Sequence, residues 1–303
     1  MFAGISILCF TASYALALAL EVTRLFFQSG VRGLALVVCG SAGMAAHSLF
    51  LVSEFVNRPA GTAPLSSWFH WYLLAAWLLT AAYLWVTVDR RHTAIGVFML
   101  PLVLVLIGVA WWFRDEPPFP IDTAYSLWGR IHGATQLAGS VAVMVGFIAG
   151  LMYIVQSARL KRKRPPRKGL RLPSLELLAR INAQSLLIST ALLGVGALSG
   201  VILNLVKHVR DVERFAWNDP VVWTSSVLFG WLLAALAFSG VYKPARQGRK
   251  VAYLTVASFV FLMFVLATTL LFSEHATQAG AGSTPQISGY TAEGTDEGTN
   301  GRL

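Results

Sequence analysis

Charge is scarce in this chain. Asp, Glu, Lys and Arg together make up 13% of its 303 residues, too little polar surface to coat a water-soluble globule. Cysteine is scarcer still: only Cys9 and Cys39 occur, each inside an apolar run and with no CxxC spacing. A disulfide framework and a thiol redox motif are therefore excluded, and both cysteines read as core residues. The sequence also lacks G-x-x-x-x-G-K-[ST], H-E-x-x-H and G-x-S-x-G, which leaves ATP hydrolysis, zinc proteolysis and serine hydrolysis without a motif. No internal repeat of the kind many transporters carry is evident.

What is abundant is grease. Hydrophobic residues make up 56% of the chain, with 10 Trp and 18 Phe, and the mean hydropathy is +0.63. This is the composition of an all-α integral membrane protein. Apolar stretches long enough to cross a hydrocarbon layer of about 30 Å lie at 3–25, 33–54, 67–88, 94–113, 131–156, 183–206, 221–242 and 251–272. The sequence thus predicts a bundle of eight transmembrane helices.

The net charge of +10 would suggest nucleic acid in a soluble protein, but here the basic residues cluster in short loops beside apolar spans, and no nucleic-acid partner is expected. They report orientation instead. With the N-terminus outside, 17 Lys and Arg fall in inner loops and 7 outside (Arg58, Arg114, Arg130, Lys207, Arg210, Arg214 and Arg302). Both termini are accordingly predicted outside, in a multi-pass protein of the cytoplasmic (inner) membrane whose active face is outer or periplasmic. The first apolar run has no basic residue before it and Arg24 after it, which reads as an uncleaved helix rather than a signal peptide.

The stretch "RLKRKRPPRKGLR" reads as an anchor for anionic lipid on the cytoplasmic face. After it, "LPSLELLARIN" has the form of a helix start, with Ser174 as N-cap and Glu176 at the positive end of the dipole. Gly146 with Gly150, and Gly196 with Gly200, are small residues at four-residue spacing that let helices approach closely. The sequence divides into a polytopic membrane domain, 1–273, and an outer tail, 274–303, whose Gly, Thr, Ser and acidic content predicts disorder.

Candidate chemistry rests on histidine. In the predicted topology His132 opens the fifth helix, His275 follows the eighth, and the loop "RFAWNDPVVW" lies between the sixth and seventh, all on the outer side. Neutral imidazole binds iron, and two imidazoles complete the axial coordination of a porphyrin. Tryptophans between them would cover the macrocycle, and Arg210, Arg214, Lys207 or Arg130 would pair with propionates. The same residues also fit a plain interfacial belt, and spacing alone leaves both readings open. His47, inside the second helix, needs a partner there; it is read as hydrogen-bonded to a neighbouring helix, with an intramembrane heme ligand as the alternative. His70, beside Trp68 and Trp71, reads as an interface anchor, His92 as a solvated loop residue, and His208 as a substitute ligand in the outer loop.

Taken in order, "IHGATQLAGSVAVMVGFIAGLMYIVQSARLKRK", "LPSLELLARINAQSLLISTALLGVGALSG", "WNDP", "KPARQGRKVAYLTVASFVF" and "LLFSEHA" resemble the cytochrome c assembly protein family, which includes CcsA, CcmC and the shorter HemX-like and YpjD-like members. The resemblance is most specific over 130–276. It implies heme as cofactor, with His132 and His275 as the two external ligands of the iron, and it matches Trp217, Asp219 and Pro220 to part of the family's Trp-rich loop signature, with Trp223 beside them. The chain departs from the fuller motif at Phe215, Ala216 and Asn218, and has Ser239 and Gly240 where CcsA carries a further His, which points to the short members. The implied role is heme handling in c-type cytochrome biogenesis, as an assembly factor or heme chaperone rather than an enzyme, with a synthetase-like role left open. Apocytochrome c is the implied acceptor and a ResB- or CcsB-like membrane protein the implied partner. A HemX-like regulator of heme biosynthesis and a small-molecule transporter remain as alternatives.

Overall fold

Backbone N–H and C=O groups in hydrocarbon must be satisfied within their own segment, so each apolar run folds as one helix. The computed structural model describes residues 6–24, 30–57, 65, 67–89, 93–115, 126–162, 172–209, 220–241 and 249–271. Its helices are α1 (Ile7–Arg24), α2 (Gly30–Val56), α3 (Trp68–Asp89), α4 (Gly96–Trp112), α5 (Leu127–Lys161), α6 (Leu175–Val209), α7 (Pro220–Val241) and α8 (Arg249–Leu271). Six of them are long and apolar enough to cross a membrane, while α1 and α4 each offer a shorter apolar stretch of 17 residues, at the lower limit for a span. The predicted tail, 274–303, and most of the basic loop lie outside the described residues.

Helices α5 and α6 start before their apolar runs and reach 35 residues each, about 52 Å at 1.5 Å per residue, well beyond the hydrocarbon thickness. Capping explains the early starts. The Ser126 hydroxyl accepts from the Gly129 N–H at 3.0 Å, and the Ser174 hydroxyl accepts from the Leu177 N–H at 3.3 Å, so polar side chains open both helices outside the apolar core. Glu176 then lies in the first turn of α6, and Arg159 and Lys161 in the last turn of α5, each complementing the helix dipole.

Two four-helix sets result. In the first, α1 packs on α2 and α4, and α3 on α2 and α4; in the second, α5 and α6 form the largest interface and α8 lies on α5, α6 and α7. The sets meet where α3 and α4 reach α5. The first set is filled by large side chains, Phe10, Tyr14, Leu73, Leu79, Tyr83 and Leu100 among them, all without exposure.

The second set relies on close approach. A Cβ on Gly139 would come within 2.7 Å of the Leu193 side chain, and one on Gly150 within 2.8 Å of Thr255 Oγ1 and 3.0 Å of the Ala252 carbonyl. A Cβ on Gly146 would stand 3.1 Å from Ser185 Cβ, so Gly146 and Gly150 both act in packing, as their spacing suggests. Asn182 of α6 is fully buried and ties three helices together. Its Nδ2 donates to Thr255 Oγ1 at 2.6 Å and to the Gly146 carbonyl at 3.1 Å, and its Oδ1 accepts from the Ala252 N–H at 3.1 Å. That N–H is among the first four of α8, which have no acceptor within their own helix.

The cysteines correct the sequence reading. Cys9 is exposed and Cys39 only half-buried, because the outside of a membrane bundle is as apolar as its inside and hydropathy alone does not distinguish them.

Candidate functional site

Contacts between helix ends define one end of the bundle. Trp71 near the start of α3 lies against Gly133 near the start of α5, and His132 reaches Gly196 in the second half of α6. The Thr224 and Thr268 hydroxyls, from the start of α7 and the end of α8, lie 3.1 Å apart. At the opposite end Arg249 of α8 donates to Ser157 Oγ of α5 at 3.2 Å.

His132 sits in the second turn of α5 rather than at its first residue, since the Ser126 cap starts the helix earlier. Its ring is half-buried and its Nδ1 donates to the Gly196 carbonyl at 2.8 Å. A backbone carbonyl can only accept, so Nδ1 carries a proton, and in the neutral ring the lone pair is on Nε2. Space for the ring comes from Gly200, where a Cβ would be 2.9 Å from His132 Nδ1 and 3.0 Å from Cε1. Next to His132 in sequence, a Cβ on Gly133 would meet the Trp71 ring of α3 at 2.9 Å, so α5 seats its imidazole against α6 and an indole against the following residue.

Across the same end, Pro220 opens α7, as a residue without an N–H can at a helix start, and Trp223 follows one turn later, 63% exposed. Trp217, Asp219, Arg210, Arg214 and His275 lie outside the described residues. His208 falls within α6, but its side chain lies outside the description.

The remaining histidines stand apart. His47 is fully buried; its Nδ1 is 3.3 Å from Tyr14 Oη of α1 and its ring stacks on Phe10, centroids 4.2 Å apart at 2°. His70 Nδ1 is 2.6 Å from Ser67 Oγ and its Nε2 is 3.5 Å from Glu54 Oε2, a tie between α2 and α3. Among the described residues no three His, Cys, Asp or Glu side chains gather to hold a metal ion. Porphyrin iron asks less of the protein, because the macrocycle supplies the equatorial ligands and the chain only the axial ones. An imidazole oriented by its second ring nitrogen, as His132 is by the Gly196 carbonyl, fits that demand for one axial position.

Residues 65–275 match the family described as cytochrome C assembly protein. The chain belongs to the cytochrome c assembly protein family. Membership places it in c-type cytochrome biogenesis, as a multi-pass membrane protein. The match takes in α3 to α8 and so reaches further toward the N-terminus than the 130–276 segment in which the motifs are concentrated; α3 and α4 carry family character in their layout more than in any short motif. A relative from Azospirillum brasilense, an uncharacterized 28.8 kDa protein in a nifR3-like 5' region, is 26% identical over 228 residues, covering 75% of this chain and 79% of its own length.

The structure adds residues that sequence reasoning did not assign to the site. Gly196 and Gly200, legible only as a close-packing pair, shape the seat of His132. Trp71 resembles any interfacial tryptophan until α3 and α5 are brought together. Ser199, three residues after Gly196 and one before Gly200, carried no signal at all.

Proposed function

We propose that the chain holds heme at the end of the bundle marked by His132 and Trp223, on the outer side of the cytoplasmic membrane, and presents it to apocytochrome c. The observation that carries this reading is the 2.8 Å bond from His132 Nδ1 to the Gly196 carbonyl. Metal-ligating histidines characteristically donate their second ring nitrogen in this way, which fixes the tautomer and turns Nε2 toward the metal.

His132 would supply one axial ligand and His275 the other. The loop carrying Trp217, Asp219 and Pro220, with Trp223 behind it, would cover the macrocycle, and Arg210 and Arg214 would pair with propionates. His208 is the reserve ligand, while His47, enclosed by Phe10 and Tyr14, keeps the interhelical role. Heme itself supplies the vinyl groups that the apocytochrome thiols take up, and the protein supplies position and shelter. The charge asymmetry of the loops supports the orientation, with the basic stretch from Arg159 to Arg171 on anionic lipid. A ResB- or CcsB-like membrane protein is the proposed partner.

The test is the absorption spectrum and pyridine hemochrome of the full chain purified in detergent after expression with heme supply. A Soret band lost or shifted in His132→Ala and His275→Ala supports the reading. A well-folded, heme-supplied protein with no Soret band overturns it, and normal holocytochrome c in a deletion strain removes an essential assembly role.

A further inference from the structure

One oxygen atom in α6 serves two side chains. The Gly196 carbonyl accepts from His132 Nδ1 at 2.8 Å and from the Ser199 hydroxyl, also at 2.8 Å. Lying four residues before Gly200 within α6, it is in addition the acceptor position of the helix's own backbone ladder. Ser199 is 2% exposed, so its hydroxyl is shielded from water and directed inward.

A carbonyl oxygen has two lone pairs. Donors that converge on it compete for the same electron density, and the Ser199 hydroxyl therefore reduces what the oxygen gives to the imidazole N–H. The acceptor at the far nitrogen of a metal-bound histidine governs the basicity of the ligating nitrogen, and hydrogen bonding of this kind is one of the protein's means of tuning heme iron.

Resting on the proposal that His132 is an axial ligand, we infer that Ser199 is a positioning residue that sets the electron donation of His132 to heme iron through the shared Gly196 carbonyl. With the hydroxyl present, the ring donates less and the reduced iron is favoured. Without it, the Nδ1–H bond to Gly196 strengthens, the ring gains imidazolate character and the oxidised iron is favoured. Ser199 thus biases the oxidation state in which heme is held, without touching heme.

The experiment is a spectroelectrochemical titration of the heme-loaded full chain in detergent, comparing wild type, Ser199→Ala and Ser199→Thr. The expected result is a midpoint potential shifted to more negative values in Ser199→Ala and unshifted in Ser199→Thr, which keeps the hydroxyl. A Ser199→Ala potential equal to wild type, or a Ser199→Thr shift as large as that of Ser199→Ala, overturns the inference. If Ser199→Ala folds poorly, Ser199→Cys, with its weaker S–H donor, is measured instead and is expected to shift in the same direction. His132→Ala separates the two levels: a wild-type spectrum in that variant removes the ligand reading and this inference with it. Loss of the spectrum there, together with an unmoved Ser199→Ala potential, removes the inference alone.

Discussion

His132 on α5 and Gly200 on α6 share one space: a Cβ on Gly200 would stand 2.9 Å from the imidazole Nδ1. Gly200→Ala is therefore expected to push the ring off the Gly196 carbonyl while leaving the helix intact, since Ala is the better helix former. Overpacking of this kind costs about 1–3 kcal/mol, and about 1.4 kcal/mol is a factor of ten in affinity. Heme titration followed at the Soret band should show affinity reduced about tenfold, with unchanged helical circular dichroism. Wild-type affinity in this variant would mean that the ring position does not matter to binding.

Asn182 holds three partners on two helices. Asn182→Leu keeps the volume roughly and removes every one of those bonds, stranding the Ala252 N–H at the start of α8. A buried donor left unsatisfied costs about 1–3 kcal/mol. Thermal unfolding in detergent should move down by several degrees, and limited proteolysis near residue 249 should speed up.

Glycines of the same chain differ sharply in what surrounds them. A Cβ on Gly150 would press on a backbone carbonyl at 3.0 Å, whereas one on Gly108 or Gly230 meets nothing within 4 Å. Gly150→Val is expected to separate α8 from α5 and lower the yield of monodisperse protein in size-exclusion chromatography. Gly108→Val and Gly230→Val should elute like wild type. Equal behaviour of all three would contradict the close packing of α5 and α8.

The orientation read from basic residues has its own test. After replacement of Cys9 and Cys39 by Ser, a cysteine at Trp128 should react with an impermeant maleimide in intact cells, and one at Lys161 only after permeabilisation. The reverse pattern would turn the bundle over and place His132 inside.

The eight helices were legible because hydrocarbon imposes one rule on every segment: apolar side chains outside and backbone bonds within. Ser174 was legible too, since a cap acts through its immediate neighbours. Ser126 acts equally locally but stands five residues before the apolar run at 131, so hydropathy does not mark it, and α5 begins four residues earlier than that run. Contacts between helices were legible only in kind, as the close packing at Gly146 and Gly150 and the need of His47 for a partner, and not in which residues would meet. Nothing local joins His132 to a carbonyl 64 residues away, and α3 and α4 are apolar around their whole circumference, so the side of α3 that meets α5 has no signature. Cys9 faces outward for the same reason. The loop from Arg210 to Asp219 and His275 carry the clearest family signal, and they lie outside the described residues.

The Asn182 amide bears on how the bundle is made. Helices α5 and α6 precede α8 in the chain, and their interface carries a polar group shaped to receive the start of another helix. Until α8 arrives, that amide sits in the pair's interface without the partners α8 brings, Thr255 and the Ala252 N–H. A polar group that is costly while unmet becomes, once the eighth helix docks, the peg that fixes where it stops.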